Sequence, residues 1–480
     1  MKTADLVFDR SYINGEWVTA GNATFEVINP ASGEVVVRVS DGGAALTEKA
    51  IHAAENAFVS WQKTTAKHRS EILEKWNNLI LENAATLAEI MTLECGKPLK
   101  ESLGEVTYGA SFIKWFAEEG KRVYGDVIPP HTEDRRLVVI KQPIGVVAAM
   151  TPWNFPLAMI TRKVAPALAA GCTVIIRPTS ESPLTALAIG LLAEKAGFPS
   201  GVLNVVVGSD SSAMGKVFCE SEVVKKISFT GSTRVGQILM EQSAKTLKKL
   251  SLELGGNAPF IVFEDADIDK AVAGAMVSKY RNAGQTCVCV NRFLVHEKIY
   301  EVFTAELAKA VEKLKVGNGM ETDVNIGPLI NKKAVETTKY FVADALEKGG
   351  DLILGGNAIG ECFFEPTIIG NATKDMKFST EEIFGPVAPI YKFKTDEEAI
   401  SMANDTVYGL ASYFYSEGVS RCWKVAEALE YGMVGINEGM ISTEVAPFGG
   451  VKFSGNGREG SKYGIADYLE IKYLCFGNII

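Results

Sequence analysis

The chain has 480 residues, of which 47% are hydrophobic and 22% are charged, and its formal net charge is −9. This length exceeds what one hydrophobic core usually holds, so roughly two or three domains are expected. The acidic balance, and the lack of any run of five Lys or Arg residues, argue against nucleic acid and against an anionic membrane surface as partners.

The numbers and spacing of the cysteines and histidines exclude further classes of protein. The eight cysteines are too few for a disulfide scaffold, and the four histidines show no HxH or HxxxH spacing, so we expect no metal site. The opening MKTADLVFDRSYINGEW lacks the basic and apolar regions of a signal peptide. The longest weakly polar run, VAPALAAGCTVII, is too short to span a bilayer. We therefore expect a reduced, cytoplasmic protein.

The hydrophobic periodicity changes along the chain. Residues 44–120 carry apolar side chains at three- and four-residue steps, which predicts helices, one of them ending at Gly96. From residue 137 short apolar strands alternate with helices, one of which ends at Gly171. This alternation indicates βαβ units and a doubly wound parallel sheet. A second α/β series begins after LGGNAP, so we place a domain boundary near residue 255.

Two segments do not follow the alternation of strands and helices. Residues 123–143 contain prolines and are then rich in β-formers, which predicts a hairpin that leaves the body. The stretch DYLEIKYLCF near the C-terminus is strand-like. We expect it to pair with that hairpin or with another subunit.

Glycine-rich turns supply the candidate ligand loops. GNGREG at 455–460 fits the dinucleotide pattern, but no βαβ unit surrounds it, so we interpret it as a loop. In FTGSTRVG a strand ends at Phe229 and a helix starts near Thr233, and such a helix N-terminus favours phosphate. TPWNFP at 151–156 follows another strand, at the end where open α/β sheets bind ligands.

The stretch GQTCVCVN places Cys287 and Cys289 one residue apart. The residues alone leave three interpretations open. One of the thiols is a nucleophile, the two together form a metal or disulfide site, or both are small residues of the core. Glu253, just before two glycines, is either a general base or a solvated carboxylate at a strand end. Asn154 is either functional or a turn-forming side chain.

Six motifs follow one another along the chain: TPWNFP, FTGSTRVG, LELGGNAP, GQTCVC, EEIFGP and PFGGVKFSG. In this order they resemble the aldehyde dehydrogenases, and the resemblance runs from about Ile13 to the C-terminus. Longer stretches such as SLELGGNAPFIVF and RNAGQTCVCVNR are similar to the semialdehyde-oxidising branch of that family.

The resemblance implies an α/β fold of aldehyde-dehydrogenase type. Residues 1–122 and 144–255 are expected to form a Rossmann-type, doubly wound cofactor-binding domain, and residues 256–454 an α/β catalytic domain. Residues 123–143 and 455–480 are expected to form a small β oligomerisation arm and the C-terminal segment. The implied assembly is a homo-oligomer, either a dimer or a tetramer.

The resemblance also assigns the chemistry. Cys287 matches the family's nucleophile and adds to the aldehyde to give a thiohemiacetal, which becomes a thioester when hydride leaves for the nicotinamide. Glu253 activates the water that hydrolyses the thioester, and Asn154 donates its amide to the oxyanion beside the Cys287 backbone N–H. A free thiol with a pKa of about 8.5 is only a few per cent thiolate at neutral pH, so we expect surroundings that activate Cys287.

Cys289 does not match the nucleophile. It is a packed small residue, a partner for a reversible disulfide with Cys287, or, least favoured for want of further ligands, part of a metal site.

The implied substrate is a small semialdehyde with a carboxylate at its far end. Arg162, Arg281 and Ser442 match the positions that hold this carboxylate, and a planar guanidinium suits it. The alternative is that both arginines make structural ion pairs. The expected reaction is oxidation of succinate semialdehyde to succinate, with glutarate semialdehyde as the nearest rival. A non-catalytic binding protein on the same fold and a thioester or ester hydrolase are the rivals from other classes.

The coenzyme positions include a departure from the family pattern. The family's KP-x-E run stands here as RPTSES, so Arg177 replaces the lysine and Ser180 replaces the glutamate. Both changes favour NADP, either in preference to NAD or alongside it, because they remove a negative charge and add a phosphate-binding fork. The full set of coenzyme positions is Thr151, Pro152, Trp153, Arg177, Thr179, Ser180, Gly231, Ser232, Gly236, Leu254, Glu382 and Phe384.

Overall fold

The structure, a computed structural model, describes residues 2–479. The helices of the first half are α1 (Thr3–Leu6), α2 (Gly43–Trp61), α3 (Ala66–Glu82), α4 (Ala84–Cys95), α5 (Leu99–Glu119), α6 (Ala158–Ala170), α7 (Leu184–Ala196), α8 (Ser211–Glu220) and α9 (Thr233–Ser243). Its strands are β1 (Ser11–Ile13), β2 (Glu16–Val18), β3 (Thr24–Ile28), β4 (Val35–Ser40), β5 (Asp126–Ile128), β6 (Arg136–Pro143), β7 (Val146–Thr151), β8 (Thr173–Pro178), β9 (Leu203–Val205), β10 (Val224–Thr230) and β11 (Lys249–Glu253).

The second half continues with a new set of elements. Its helices are α10 (Ile268–Tyr280), α11 (Tyr300–Val311), α12 (Lys332–Glu347), α13 (Asp396–Asn404) and α14 (Val419–Ala428). Its strands are β12 (Ala258–Val262), β13 (Val290–His296), β14 (Asp351–Leu354), β15 (Ala358–Ile359), β16 (Phe363–Phe364), β17 (Thr367–Gly370), β18 (Val387–Phe393), β19 (Ala411–Tyr415), β20 (Met433–Ile436), β21 (Gly455–Asn456) and β22 (Leu469–Phe476).

Local sequence signals explain where several helices begin and end. The Thr65 side chain accepts a hydrogen bond from the backbone N–H of His68 and so caps the start of α3. Gly96 and Gly171 end α4 and α6 with φ of +79° and +99°, a left-handed conformation that glycine adopts without steric cost. Both predicted helix stops are confirmed.

The first large sheet has the strand order β2-β1-β9-β8-β7-β10-β11-β21. Its centre, from β9 to β11, is parallel, and β1 and β21 add antiparallel edges. The strand β7 lies between β8 and β10, so the order reverses there, as in doubly wound folds. The carboxyl ends of these strands bring Thr151, Pro178, Thr230 and Glu253 to one edge of the sheet.

The second large sheet has the order β14-β17-β18-β13-β12-β19-β20 and is parallel except for β14. The change from one sheet to the other falls between Glu253 and Ala258, next to the predicted boundary. The α/β fold with a doubly wound sheet is thus confirmed, whereas the division into domains stays a prediction.

The helix α6 is buried along its whole length. It packs between α5, the strands β7 and β8 and the C-terminal segment. At helical spacing Arg162 lies opposite the apolar face formed by Ile160 and Val164, but this side of α6 is covered as well, and Arg162 is only 1% exposed. Burial of a guanidinium requires a partner that compensates its charge.

The predicted hairpin and its pairing with the C-terminal strand are both present. The strand β6 pairs antiparallel with β5 on one side and with β22 on the other. This small sheet exposes large apolar side chains, among them Val127 at 81% and Ile471 at 73%. Residues 455–468, predicted to group with the arm, pack differently: β21 extends the first large sheet and Glu459 is buried in the body.

Within residues 2–479, no helix is both long and apolar enough to cross a bilayer.

Candidate active site

A narrow cavity brings four of the predicted residues together. Cys287, Arg162, Arg281 and Ser442 all line it, although they lie on different elements. Its remaining lining is mostly aromatic and apolar and consists of Tyr108, Phe155, Met159, Thr286, Val288 and Phe448. Tyr108 was missed in the sequence, since a tyrosine on an amphipathic helix carries no local sign of function.

The two arginines have different surroundings. Arg281 lies 5.3 Å from the ring centre of Phe155, and no carboxylate of the described chain lies within 4 Å of it. Arg162 stacks 4.3 Å from the ring centre of Phe448 and also forms an ion pair with Glu459. Arg162 therefore makes an ion pair within the protein and also lines the cavity. Arg281 lines the cavity without such a pair.

The Cys287 thiol is not activated by its surroundings as we expected. Burial raises the pKa of Cys287 to about 11, and the charge of Arg162 opposes this shift. The carboxyls of Glu382 and Glu253 raise the pKa further, while Arg281 lowers it. Burial therefore outweighs the two guanidinium groups, and the protonated thiol is favoured at neutral pH.

The backbone around Cys287 is tightly enclosed. Asn282 and Ala283 have φ of +49° and +54°, so the chain turns sharply just before the cysteine. A Cβ at Gly256 would lie 2.6 Å from the Cys287 carbonyl oxygen, so this position admits only glycine without a shift of the backbone. The turn and the glycine together fix the direction in which the thiol points.

Asn154 is 4% exposed and lies close to the cysteine segment. Its Nδ2 donates to the carbonyl oxygen of Gln285 at 3.1 Å, the only hydrogen bond this amide nitrogen makes in the described chain. An amide nitrogen carries two hydrogens, so one donor remains for an oxyanion. The backbone around Cys287 and the Asn154 amide are thus connected directly.

Glu253 ends β11 and is 1% exposed. Neither of its carboxylate oxygens has a hydrogen-bond partner among the described residues. Burial raises the pKa of Glu253 well above its usual range, and Glu459 adds to the effect, whereas Arg162 and Lys163 oppose it. The protonated acid is therefore favoured, and a role as base requires Glu253 to lose that proton first.

Glu459 was not recognised in the sequence. It lies in GNGREG, which we interpreted as a glycine-rich loop, and its carboxylate pairs with both Arg162 and Lys163. Burial alone would raise the pKa of Glu459, but these two cations hold it below its ordinary value. No local pattern reveals such a pair, because the partners are 296 residues apart in the chain.

The predicted coenzyme residues between Thr151 and Leu254 lie near the carboxyl edge of the first sheet. The Ser232 hydroxyl accepts from the backbone N–H of Val235 and caps α9. A Cβ at Gly236 would lie 2.6 Å from the Leu254 side chain, so glycine lets α9 approach β11 closely. Gly231 donates its backbone N–H to the carbonyl of Glu253 at 3.0 Å. The helix N-terminus therefore stands beside the predicted base.

The loop from Thr151 to Pro152 and Trp153 meets the second half of the molecule. The rings of Trp153 and Phe384 lie 5.7 Å apart, edge to face. Glu382 accepts a hydrogen bond from the Gly256 backbone N–H at 3.1 Å, and burial raises its pKa to about 8.

Arg177 is 6% exposed and donates from its Nη2 to the hydroxyl of Ser211. Its Nε has no hydrogen-bond partner among residues 2–479. Thr179 and Ser180 both hydrogen-bond to the carboxylate of Glu181. Serine in place of glutamate at position 180 removes one negative charge, but Glu181 places another beside the same residues.

Cys289 does not line the cavity. It is 8% exposed, and its Sγ lies 3.4 Å from both the Nζ and the carbonyl oxygen of Lys279. Both Cys287 and Cys289 are free thiols. In the described part of the chain, no three His, Cys, Asp or Glu side chains are grouped as metal ligands. This environment is that of a packed residue with a buried amine as neighbour.

A thiol that shares a cavity with two guanidinium groups, next to a doubly wound sheet of the kind that binds dinucleotides, is the arrangement expected of an enzyme with a covalent cysteine mechanism. The sequence profile of the Aldehyde dehydrogenase family matches residues 17–474. The chain belongs to this family.

Individual relatives are similar over the full length. The glutarate-semialdehyde dehydrogenase of Pseudomonas putida is 58% identical, with 99% of each chain covered. The NADP(+) succinate-semialdehyde dehydrogenase of Escherichia coli is 56% identical, again with 99% of each covered. A crystal structure of succinate-semialdehyde dehydrogenase from Burkholderia pseudomallei superposes with a TM-score of 0.98 at 57% identity, with 99% of each chain covered.

Proposed function

We propose that this enzyme oxidises succinate semialdehyde to succinate with a nicotinamide coenzyme. The observation that carries the proposal is the cavity in which the Cys287 thiol shares its walls with Arg162, Arg281 and the Ser442 hydroxyl. A guanidinium without a carboxylate partner, as at Arg281, suits the acid end of the substrate.

In the proposed mechanism Cys287 gives its proton to solvent water, and its sulfur bonds to the aldehyde carbon as the C=O π electrons move to the oxygen. The free hydrogen of the Asn154 amide and the Cys287 backbone N–H stabilise the oxyanion that forms. A bound nicotinamide coenzyme supplies the hydride acceptor. Glu253, once ionised, takes a proton from the water that cleaves the resulting thioester.

The residues at the carboxyl edge of the first sheet fit a phosphorylated dinucleotide. The buried Arg177 Nε has no partner in the described chain, and an unpaired guanidinium N–H favours an anion such as a 2′-phosphate. The negative charge of Glu181 disfavours a phosphate at this place. We therefore propose NADP as the preferred coenzyme with NAD also accepted, and the NADP(+) in the name of the Escherichia coli relative supports this choice.

Glutarate semialdehyde is the second candidate substrate. The relative of Pseudomonas putida carries that name at a similar identity. One methylene group changes binding by only about 1–3 kcal/mol, so both acids are expected to react at different rates.

Initial rates with succinate semialdehyde, glutarate semialdehyde and a neutral aldehyde of similar length, each with NAD and with NADP, test the proposal. We expect the highest kcat/KM for succinate semialdehyde with NADP. A preference for the neutral aldehyde would overturn the assignment of the arginines. Acid formation without reduction of the coenzyme would indicate a hydrolase, and no reaction at all a binding protein.

Replacing Arg281 with methionine is expected to raise KM for succinate semialdehyde roughly 10- to 100-fold, because a charge-assisted contact of about 1.5–3 kcal/mol is lost. The neutral aldehyde should be unaffected. Steady-state kinetics with both substrates measure the difference. Arg10→Met, which changes an exposed arginine paired with Asp9, is the matched control. An equal loss for both aldehydes would show that Arg281 does not bind the carboxylate.

The reversible disulfide remains a proposal as well. Peroxide would oxidise the Cys287 and Cys289 thiols to one disulfide and two waters. We expect mild peroxide to inactivate the enzyme and a thiol reductant to restore it, whereas in Cys289→Ala the inactivation should become irreversible. Activity after each treatment is the measurement. Full recovery of the alanine variant would rule out this pair.

The small sheet of β5, β6 and β22 is the proposed contact between subunits. Its two outer strands, β5 and β22, have open edges and expose the apolar side chains of Val127 and Ile471, which suits pairing with a second copy. We propose a homo-oligomer, dimer or tetramer, and light scattering of the purified protein tests its mass. A monomer at micromolar concentration would contradict the proposal.

A further inference from the structure

Two buried charged side chains outside the cavity hold the loop that carries Asn154. Lys97 is 1% and Glu105 is 3% exposed, and the two form an ion pair. The Lys97 Nζ also donates to the backbone carbonyl oxygen of Asn154 at 2.6 Å. The Glu105 Oε1 accepts the backbone N–H groups of Leu157 at 2.9 Å and Ala158 at 3.2 Å. The pair therefore binds both ends of the segment between Asn154 and α6.

The carbonyl of Asn154 has a second buried donor. The Nδ2 of Asn282 lies 3.2 Å from the same oxygen, on the segment that leads to Cys287. The Asn154 side chain, in turn, donates to Gln285 on that segment. The position of the amide thus depends on a backbone held by Lys97 on one side and by the cysteine segment on the other.

Stability is a weak explanation for such a pair. Desolvation of two charges offsets much of their attraction, and apolar residues of similar volume often replace a buried ion pair without loss of stability. The position of a catalytic group, in contrast, strongly affects the rate, since its displacement by about 1 Å can lower the rate on the order of 10²-fold.

We propose that Lys97, with Glu105 as its counter-ion, is a positioning residue that aims the Asn154 amide at the reacting oxygen. The inference rests on the proposed function. Lys97 does not itself line the cavity. Its Nζ contacts the Asn154 carbonyl and lies 4.2 Å from the ring centre of Phe155, the next residue of the same loop, so its effect on turnover must pass through the Asn154 loop.

A double-mutant cycle tests this. Asn154→Ala is expected to lower kcat about 10²- to 10³-fold, the usual effect of losing one oxyanion donor. Lys97→Met alone is expected to lower kcat roughly 10- to 100-fold with little change in KM, because the contact forms in the transition state. In the Asn154→Ala background the same change should lower kcat by no more than about twofold. Penalties that simply multiply would overturn the inference.

A matched control and a second variant complete the design. Lys248 is also buried and donates to two backbone carbonyls, those of Ser221 and Val224, far from the cavity. Lys248→Met should leave the effect of Asn154→Ala unchanged. Glu105→Gln keeps the shape of the side chain but removes the charge that faces Lys97, and its penalty should also vanish in the Asn154→Ala background.

The outcomes separate the two proposals. If the unmodified enzyme reduces no coenzyme with any aldehyde, the proposed function fails. If that enzyme is active but the penalties at Lys97 and Asn154 multiply, only the positioning role fails. If neither Lys97→Met nor Glu105→Gln folds, as judged by thermal unfolding and circular dichroism, the pair serves the fold and the positioning role is rejected.

Discussion

Replacing Cys287 with alanine is expected to lower kcat on the order of 10⁶-fold, the scale found when a covalent nucleophile is removed. The fold should be unaffected, because the thiol only lines a cavity and makes no hydrogen bond within the described chain. Coenzyme reduction on addition of aldehyde is the measurement. Cys422→Ala, which changes a half-buried thiol remote from the cavity, is the control and should retain the rate of the unmodified enzyme.

The covalent step can also be observed directly. Aldehyde and oxidised coenzyme are mixed with the enzyme, the reaction is quenched in acid, and the digested peptides are weighed. Acyl mass should be found on the peptide that contains Cys287. Acyl mass on another cysteine, or on none, would refute the mechanism.

The pH profile follows from the same thiol. Because the pKa of Cys287 is raised to about 11, the thiolate fraction increases about tenfold with each pH unit below that value. The rate kcat/KM should therefore rise between about pH 6 and pH 8.

Replacing Glu253 with glutamine is expected to lower kcat roughly 10²- to 10⁴-fold, because the base for thioester hydrolysis is lost. Acylation of Cys287 should persist, so one equivalent of coenzyme is reduced rapidly before turnover slows. Rapid-mixing absorbance measures this burst. The glutamine variant also removes a carboxyl that raises the pKa of Cys287, so its burst should be no slower than that of the unmodified enzyme.

Two results would contradict this role. A variant without a burst would place Glu253 before the thioester, and a variant with normal turnover would remove it from the mechanism. Glu312→Gln, at the exposed end of α11, controls for the loss of a negative charge.

Much of the fold follows from local signals in the sequence. The alternation of strands and helices predicted the parallel sheet, and the glycines at 96 and 171 predicted two helix ends, since both depend on neighbouring residues only. The hairpin and its pairing with the C-terminal strand were predicted because residues 123–143 contain prolines and are then rich in β-formers, and because DYLEIKYLCF is strand-like. The motifs around Cys287, Arg162, Arg281 and Ser442 led to side chains that share one cavity.

Other features depend on contacts between distant segments. The pairing of Glu459 with Arg162 and Lys163, and the support of Asn154 by Lys97, join residues with no common pattern. The high pKa of Cys287 results from burial, which local sequence does not report. Glu181 was overlooked because the comparison of single positions ignores a carboxylate one residue further along.

The distance along the chain between Glu459 and its partners has a consequence for biosynthesis. The helix α6 buries two cations, and the carboxylate that neutralises them lies 296 residues after Lys163. Burial of these cations before Glu459 is synthesised would leave their charge uncompensated, which is costly. We therefore expect α6 to reach its final packing only after residue 459 has left the ribosome.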